Sequence, residues 1–348
     1  MGSLTGIVSE DDPVGTRILT VKARDGDTGQ ARRIIYSLEE NPQNYFAIDS
    51  TNGDITIDKP INRESLGPSS GGVLMLRVRA SELVNGIPRN EDITSTTADV
   101  TITIRDVNDE PPLFNQDEYR VSLTENVPFG TPLANLNMEV KDLDTAPNAV
   151  FDINLVGGDP NNKFSVEPKR ATGHTAVSLK VNSKNLDYEN ANERKFLLLV
   201  EAKEANNGRL SSTATVTVEV LDLNDNSPEF PKDSYTAIVS EAAPEGFEII
   251  TIEAEDRDSG DFGTLGIQYQ LSGQGAELFN VDSKSGKITV ASCIENCLDY
   301  ETIRAYYLSF SATDNNGNGK KTVVNLRISV ADANDNSPKF VQKVYRAR

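Results

Sequence analysis

The sequence predicts an all-β chain of three tandem β-sandwiches, each about 110 residues long. The first observation is a set of four acidic landmarks that recurs three times in the same order. The second is a period-two alternation of apolar residues before each copy of the motif Asp-x-Asn-Asp, typical of half-buried strands. The third is a series of short segments separated by Gly, Asn, Asp and Pro clusters, with no amphipathic helix of three turns.

The landmarks keep nearly constant spacing along the chain. The motif Asp-x-Asn-Asp begins, at intervals of 116 and 110 residues, at Asp106, Asp222 and Asp332. An apolar-Ser/Thr-Glu triplet ends, at intervals of 115 and 116 residues, at Glu10, Glu125 and Glu241. The pairs Asp-x-Asp are Asp25 and Asp27, Asp142 and Asp144, and Asp256 and Asp258. The fourth landmark reads NRE at 62–64 and LDYE at 186–189 and 298–301.

The strands before the Asp-x-Asn-Asp motifs indicate sandwiches of antiparallel sheets, because one face of each strand is apolar. Their apolar faces consist of Val100, Ile102 and Ile104; Val216, Val218 and Val220; and Val324, Leu326, Ile328 and Val330. We place the repeats at residues 1–110, with a truncated N-terminal strand, 111–226 and 227–336. Residues 337–348 are a tail or the start of another repeat. No flexible Gly/Ser linker separates the repeats, so acids at adjoining domain ends are expected to lie close together.

The composition limits the possible partners. The 348 residues carry a formal charge of −19, which disfavours nucleic acid and anionic lipid. No apolar run has the roughly 18 to 20 residues that span a bilayer, so direct membrane insertion is not expected. The clustered carboxylates would repel one another without a cation between them.

Calcium is the cation that this ligand chemistry favours. Ca²⁺ takes six to eight oxygen ligands from carboxylates, amides and backbone carbonyls, which the landmarks supply. Taken singly, each landmark is more simply explained as a turn or a strand end. Threefold repetition in step reverses that preference.

The combination of D-x-N-D-N-x-P, x-E-x, L-D-Y-E and D-x-D in units of this length resembles the extracellular repeats of cadherins, over essentially the whole chain. The resemblance implies seven-stranded Greek-key sandwiches joined end to end, with about three Ca²⁺ ions per junction. It also implies the extracellular part of a single-pass plasma-membrane receptor. Because the chain has no Trp, the Trp-anchored strand exchange of some cadherins is not expected.

The resemblance assigns ligands to two complete junctions. The second junction has every expected residue type. It comprises Glu125, Asp187, Glu189, Asp222, Asn224, Asp225, Asp256, Asp258 and Asp314, with backbone oxygens from Leu223 and Asn226.

The first junction departs from the pattern at two side chains. Its matching members are Glu10, Glu64, Asp106, Asn108, Asp109, Asp142 and Asp144, with backbone oxygens from Val107 and Glu110. Asn62 stands where Asp is expected, and Glu204 replaces another Asp. Because a formal charge is lost, we predict weaker or incomplete calcium occupancy at the first junction than at the second.

Two half-sites lack a neighbouring repeat and are expected to bind calcium poorly. The first consists of Asp25, Asp27 and Glu82, and the last of Glu241, Asp299, Glu301, Asp332 and Asp335.

No constellation of residues supports an enzyme. Asp27-Thr28-Gly29 and Asp258-Ser259-Gly260 imitate aspartic protease turns, but the strands that lead into them are polar. DNNGNG at 314–319 begins like an EF-hand loop, but Asn325 stands where the loop needs Glu, and a hairpin turn is the better interpretation.

The two cysteines, Cys293 and Cys297, leave two interpretations open on composition: reduced thiols, or a local disulfide in an oxidising compartment. The extracellular assignment favours the disulfide. A structural zinc site is excluded, because the chain has only one His.

We expect a calcium-dependent adhesion or tether module in which junction ions rigidify the rod of a cell-surface receptor. Its partners would be the neighbouring repeats and another cell-surface protein, homophilic or heterophilic. The alternative is a heterophilic ligand-binding region in which calcium serves only as a scaffold.

Overall fold

A computed structural model describes residues 4–27, 29, 31–67, 70–91, 93–183, 186–206, 208–293 and 298–342. The chain divides into two compact units. One comprises Met1–Val121, Gly130–Asn182 and Leu197–Thr217, and the other Ser122–Phe129, Ser183–Phe196 and Val218–Arg348.

The first repeat is a sandwich of two sheets. Its strands are β1 (Leu4–Ser9), β2 (Arg17–Thr20), β3 (Ile34–Glu40), β4 (Phe46–Ile48), β5 (Asp54–Ile57), β6 (Val73–Val84), β7 (Ile87–Pro88) and β8 (Ser95–Arg105). One sheet has the order β1-β8-β6-β3, with β7 beside β6, and the other has the order β2-β5-β4. Strand β1 runs parallel to β8, so the strand that ends before Glu10 lies beside the strand that ends before Asp106.

The second repeat has the same two-sheet architecture. Its strands are β9 (Leu113–Phe114), β10 (Glu118–Thr124), β11 (Met138–Lys141), β12 (Val150–Gly157), β13 (Phe164–Glu167), β14 (Arg170–Thr172), β15 (His174–Val181), β16 (Lys195–Glu204) and β17 (Ser211–Leu221). The sheet orders are β10-β17-β16-β12-β14 and β13-β15-β11-β9.

The third repeat has seven strands among its described residues. They are β18 (Ser234–Ser240), β19 (Glu248–Thr251), β20 (Gln268–Ser272), β21 (Phe279–Val281), β22 (Lys287–Val290), β23 (Ala305–Thr313) and β24 (Lys321–Ala331). The sheets are β18-β24-β23-β20 and β19-β22-β21, with β18 parallel to β24. The only helical segments among the described residues of the chain are single 3₁₀ turns: Pro42–Asn44, Glu64–Leu66, Thr264–Gly266, Ala276–Leu278 and Asn315–Gly317.

The core of each sandwich comes from the alternation that the sequence shows. The apolar faces of β8, β17 and β24 are almost completely buried; for example, Val100, Ile102 and Ile328 are 0% exposed. Burying such side chains stabilises the fold by about 1.5–3 kcal/mol each. The predicted all-β class and three repeats are therefore confirmed, and DNNGNG forms the turn between the antiparallel strands β23 and β24.

Of the two interpretations of the cysteines, the structure supports the disulfide. Cys293 is disulfide-bonded. Cys297, the other cysteine of the chain, lies outside the described residues.

Candidate metal-binding junctions

One glutamate in each repeat joins the two acidic loops that follow it in sequence. Glu10 accepts the N–H groups of Arg63 and Val107 at 2.7 Å each, one on either carboxylate oxygen. Glu125 accepts those of Tyr188 (2.7 Å) and Leu223 (2.9 Å) in the same way. Glu241 repeats the arrangement in the third repeat. The loop NRE or LDYE is thereby held against the Asp-x-Asn-Asp loop.

In the first junction, the predicted acids gather into two groups, all within the first compact unit. Carboxylate oxygens of Glu10, Glu64 and Asp106 lie within 4.8 Å of one another. Those of Asp142, Asp144 and Glu204 do so too, and these three residues are buried. Asn108 connects the two repeats, because its Nδ2 donates to the Glu204 carboxylate and to the Asn148 carbonyl.

The second junction has the same arrangement within the second compact unit. One group of carboxylates consists of Glu125, Glu189 and Asp222, and another of Glu189, Asp225 and Asp258. Asn224 Nδ2 donates to Asp314 Oδ1 at 2.8 Å, as Asn108 does to Glu204. Asp314 is completely buried, so its carboxyl group is withdrawn from solvent.

Both junctions contain buried side-chain oxygens that have no hydrogen-bond partner among the described residues, and most of these oxygens belong to equivalent positions of the two junctions. In the first they include both carboxylate oxygens of Glu64, Asn108 Oδ1, Asp142 Oδ2 and Glu204 Oε1. In the second they are Glu189 Oε1, Asp222 Oδ1, Asn224 Oδ1, Asp256 Oδ2 and Asp314 Oδ2. Buried acceptors almost always have a partner, and a hard, oxygen-binding cation satisfies all of these at once. The residues therefore fit Ca²⁺.

The same carboxyls have raised pKa values in the metal-free protein. Burial raises the pKa of Glu64 to about 7, and the neighbouring carboxylates of Glu10 and Asp109 add to the effect. Burial likewise raises the pKa values of Asp142 and Asp144 to about 7, with further contributions from Glu204 and Asp142 respectively. Glu189 in the second junction also reaches a pKa of about 7, chiefly through burial. Such shifts mean that burial, with a smaller contribution from neighbouring carboxylates, disfavours the ionised form of these acids when no counter-ion is present.

Asn62 and Glu204, the two departures of the first junction, differ in their consequence. Asn62 Oδ1, the only oxygen of its side chain, accepts the Ser65 N–H at 2.7 Å. Asp187, its counterpart, accepts the Glu189 N–H at 3.0 Å through Oδ1 and has a second oxygen. Glu204, although longer than Asp314, reaches the same contact with the junction asparagine. Of the two departures, Asn62 is therefore the one that removes a carboxylate oxygen from the first junction.

The residues predicted to bind through their backbone oxygens lie at the junctions, where the structure shows hydrogen bonds from their N–H groups or side chains. Val107 and Leu223 contact their junctions through N–H groups. Asn226 donates its N–H and its side-chain amide to Asp258. The roles of the backbone oxygens of Val107, Leu223, Asn226 and Glu110 remain predictions.

Several residues at the junctions were missed from sequence. The N–H of Thr145 and the side-chain amide of Asn148 donate to Asp106, and Ser259 donates twice to Asp222. Lys320 donates to the Asp225 carbonyl. Thr145 and Ser259 each follow an Asp-x-Asp pair directly, and a comparison of the repeats would have found them.

Asp25, Asp27 and Glu82, the half-site of the first repeat, also form a group of carboxylates. Arg32 Nη1 lies 2.9 Å from Glu82 Oε2 and partly neutralises it.

Comparison with known proteins identifies all three repeats. The family model of the cadherin domain matches residues 5–105, 119–221 and 235–331. The chain is 42% identical to Cadherin-87A of Drosophila melanogaster, over 99% of this chain and 22% of that protein. The crystal structure of mouse Cadherin-23 EC22-24 is 28% identical, with a TM-score of 0.68, over 96% of this chain and 97% of that one. A protocadherin gammaB7 EC3-6 cis-dimer structure is 26% identical, with a TM-score of 0.70, over 99% of this chain and 76% of that one.

Proposed function

The chain belongs to the cadherin family, and we propose that it is a calcium-rigidified adhesion or tether module of a cell-surface receptor. Cadherin domains generally bind Ca²⁺, and the family consists of adhesion proteins rather than enzymes. No helix in the described part of the chain is long and apolar enough to cross a membrane. We place these repeats in the extracellular part of a single-pass plasma-membrane protein, with boundaries at residues 110, 226 and 336.

Matching sets of buried, unpartnered oxygens at the two junctions carry this proposal. Each set joins side chains of adjoining repeats: Glu64 and Asn108 with Asp142 in the first junction, Glu189 and Asn224 with Asp256 in the second. Ca²⁺ would neutralise the carboxylates and fill the unpartnered lone pairs. We propose about three ions at the second junction and fewer at the first.

The mechanism follows from the chain's own side chains. Without a counter-ion the junction carboxylates repel one another, and separating the repeats relieves that repulsion. When ligands from both repeats share a cation, bending a junction would break coordination, so the liganded state holds its geometry. Rigid junctions would allow a receptor to carry force and to present a defined surface.

Calcium removal tests the proposal directly. At a calcium concentration about 100 times the dissociation constant, each site adds about 2.7 kcal/mol to the free energy of unfolding. We therefore expect calcium to raise the melting temperature by several degrees and to narrow the range of particle shapes in small-angle X-ray scattering. Calorimetry and scattering of the full chain, with calcium and with chelator, measure both quantities.

A matched pair of variants shows where the effect originates. Glu189→Gln, in the second junction, should reduce the calcium-dependent rise in melting temperature. Glu219→Gln removes an exposed carboxylate of β17 and should leave it unchanged. A melting temperature and a scattering profile that do not respond to calcium would refute the proposal.

The second candidate function is heterophilic binding of another protein, with calcium only as a scaffold. It is favoured by apolar side chains on the outer face of the sheet β18-β24-β23-β20, where Ile238, Tyr307 and Val323 are 73%, 74% and 53% exposed. Sedimentation equilibrium with calcium separates the alternatives, because self-association supports a homophilic contact and a monomer at all concentrations favours a heterophilic one.

A further inference from the structure

Arg63 introduces a positive charge into the first junction at a position that is Tyr in the other two repeats. It is the middle residue of NRE, and its counterparts in LDYE are Tyr188 and Tyr300. Its Nη1 lies 3.0 Å from Asp106 Oδ1, and the two side chains are only 14% and 10% exposed. A guanidinium therefore lies among the predicted calcium ligands, largely withdrawn from solvent.

The space for this guanidinium is created by a second exchange, at Gly72. The N–H of Ile104 donates to the Gly72 carbonyl at 2.7 Å, as those of Val220 and Val330 donate to Arg194 and Arg304. Gly72 thus occupies the position that is Arg in the other repeats.

In those repeats, Arg194 and Arg304 stack on the tyrosine of the motif, with 4.6 Å and 5.1 Å from Cζ to the ring centroid. In the first repeat, the cation has moved into the motif, and glycine has replaced the stacking arginine. The backbone at Gly72 has a φ of +72°, and a Cβ there would lie 2.7 Å from Arg63 Nε and 3.0 Å from the Ile104 carbonyl oxygen, so a larger residue would be strained and would displace Arg63. The two exchanges form one compensated arrangement.

The exchange changes the hydrogen-bond partners of the first aspartate in the Asp-x-Asn-Asp motif. In the first junction both oxygens of Asp106 have partners: Oδ1 has Arg63 and the Thr145 N–H, and Oδ2 has Thr145 and Asn148. In the second junction, Ser259 binds only Oδ2 of Asp222. Oδ1 of Asp222 is buried and has no hydrogen-bond partner among the described residues.

A cation also reaches the second junction, but it acts differently. Lys320 Nζ donates to the backbone carbonyl of Asp225, not to a carboxylate. It therefore does not neutralise Asp222 as Arg63 neutralises Asp106.

We propose that Arg63 is a built-in cation of the first junction, which occupies on Asp106 the place that a calcium ion takes on Asp222. The first junction then needs fewer calcium ions than the second. It also keeps part of its stability when calcium is absent. The ion count rests on the function proposed above, whereas the stabilisation of the metal-free junction by Arg63 does not. The chain would accordingly combine one junction that depends fully on calcium with one that depends on it in part.

Three variants of the full chain test this proposal. Arg63→Met removes the charge and keeps much of the side-chain volume. Arg63→Tyr places the tyrosine of the other repeats in the motif and keeps Gly72, because the φ of +72° there favours glycine. Arg194→Met, the matched control, removes an arginine that stacks on Tyr188 and contacts no predicted ligand carboxylate among the described residues.

The first measurement is the melting temperature in calcium-free buffer. Removing one partner of a largely buried ion pair leaves the other charge uncompensated. Arg63→Met should therefore lower the melting temperature by several degrees more than Arg194→Met does. Equal effects of the two variants would overturn the proposal. If Arg63→Met does not fold, Arg63→Tyr, which also removes the charge, provides the same comparison.

The second measurement is the number of calcium ions retained in native mass spectrometry. Arg63→Tyr should retain about one ion more than the wild type, because Asp106 Oδ1 then loses its cationic partner and keeps only the Thr145 N–H. An unchanged ion count would contradict the proposed exchange of cation for calcium. A wild type that retains no calcium would refute the proposed function instead, and the calcium-free melting temperatures would still decide the role of Arg63.

Discussion

Asn62 uses its only side-chain oxygen within its own repeat, where it accepts the Ser65 N–H. Asp187 makes the equivalent contacts, with the N–H groups of Glu189 and Asn190, through one oxygen and retains another. The local turn is therefore satisfied by either residue, and only the metal distinguishes them. The asparagine therefore gives the first junction one carboxylate oxygen and one negative charge fewer than the second.

A reciprocal exchange should transfer this difference between the junctions. Asn62→Asp should raise the calcium affinity of the first junction, and Asp187→Asn should lower that of the second. We expect about tenfold in each direction, equivalent to about 1.4 kcal/mol. Isothermal titration calorimetry of the full chain measures both changes.

The control for net charge is Asn85→Asp, in an exposed turn outside both junctions. It should leave the affinities unchanged. Affinities that stay the same after the reciprocal exchange, or that change equally with the control, would contradict the assignment of Asn62 as the defective ligand position.

The predictability of individual residues depends on whether their role repeats. Glu10 and Glu125 could be identified from sequence because the same geometry requires the same residue in each repeat. Arg63 could not be assigned a contact, because the path of its side chain depends on the room left by Gly72, nine residues away. Asn148 has no repeated sequence signature, and only the folded loop brings it to Asp106.

Among the strands and hairpins, too, repeated patterns could be predicted from the sequence and isolated short elements could not. The alternation in β8, β17 and β24 predicted strands whose apolar faces the structure buries. Short elements such as β9 and β14 were not predicted, because two or three residues carry no measurable period. The turn between β23 and β24 was predicted from DNNGNG, and Asp314 at its start was assigned to the second junction, but the close approach of Gly319 was not predicted.

Gly319, in that turn, makes the contact possible. A Cβ at this position would lie 1.7 Å from Asp314 Oδ1 and 2.9 Å from Asn224 Nδ2, so the turn approaches the buried carboxylate too closely for any side chain. Gly319→Ala should move Asp314 and weaken calcium binding at the second junction by about tenfold or more, equivalent to at least about 1.4 kcal/mol.

Asn318→Ala, at the neighbouring exposed position of the same turn, is the control and should bind calcium as the wild type does. Calorimetric titration of both variants tests the difference. Wild-type affinity in Gly319→Ala would show that the turn does not position Asp314.

The chain as a whole is strongly acidic, with a formal charge of −19. Part of that charge is concentrated at the junctions, where burial holds the pKa values of Glu64, Asp142, Asp144 and Glu189 near 7 in the metal-free protein. Single-sequence reasoning could predict the clustering from the repeated spacing. It could not predict which carboxyls are buried deeply enough to retain protons, since burial depends on the packing of loops from two repeats.

The stability of the metal-free chain should therefore fall as pH rises. Between their ordinary pKa values of 3.8–4.5 and about 7, these four carboxyls bind more protons in the folded state than in the unfolded state. Stability then decreases with pH across that window, because it rises with pH only where the unfolded state binds more protons. In calcium-free buffer the melting temperature should be higher at about pH 5 than at about pH 7.5. With calcium bound the carboxylates stay ionised in the folded state. The fall of the melting temperature with rising pH should therefore become smaller or reverse.

Thermal unfolding at a series of pH values, in buffers freed of calcium by resin, measures this slope. The double variant Glu64→Gln with Glu189→Gln removes one of the shifted carboxyls from each junction and should flatten it. Exchange of the exposed acids Glu219 and Glu277 for Gln changes the net charge by the same amount and should leave the slope as it is in the wild type. A calcium-free melting temperature that is constant or rises from about pH 5 to about pH 7.5 would contradict the prediction.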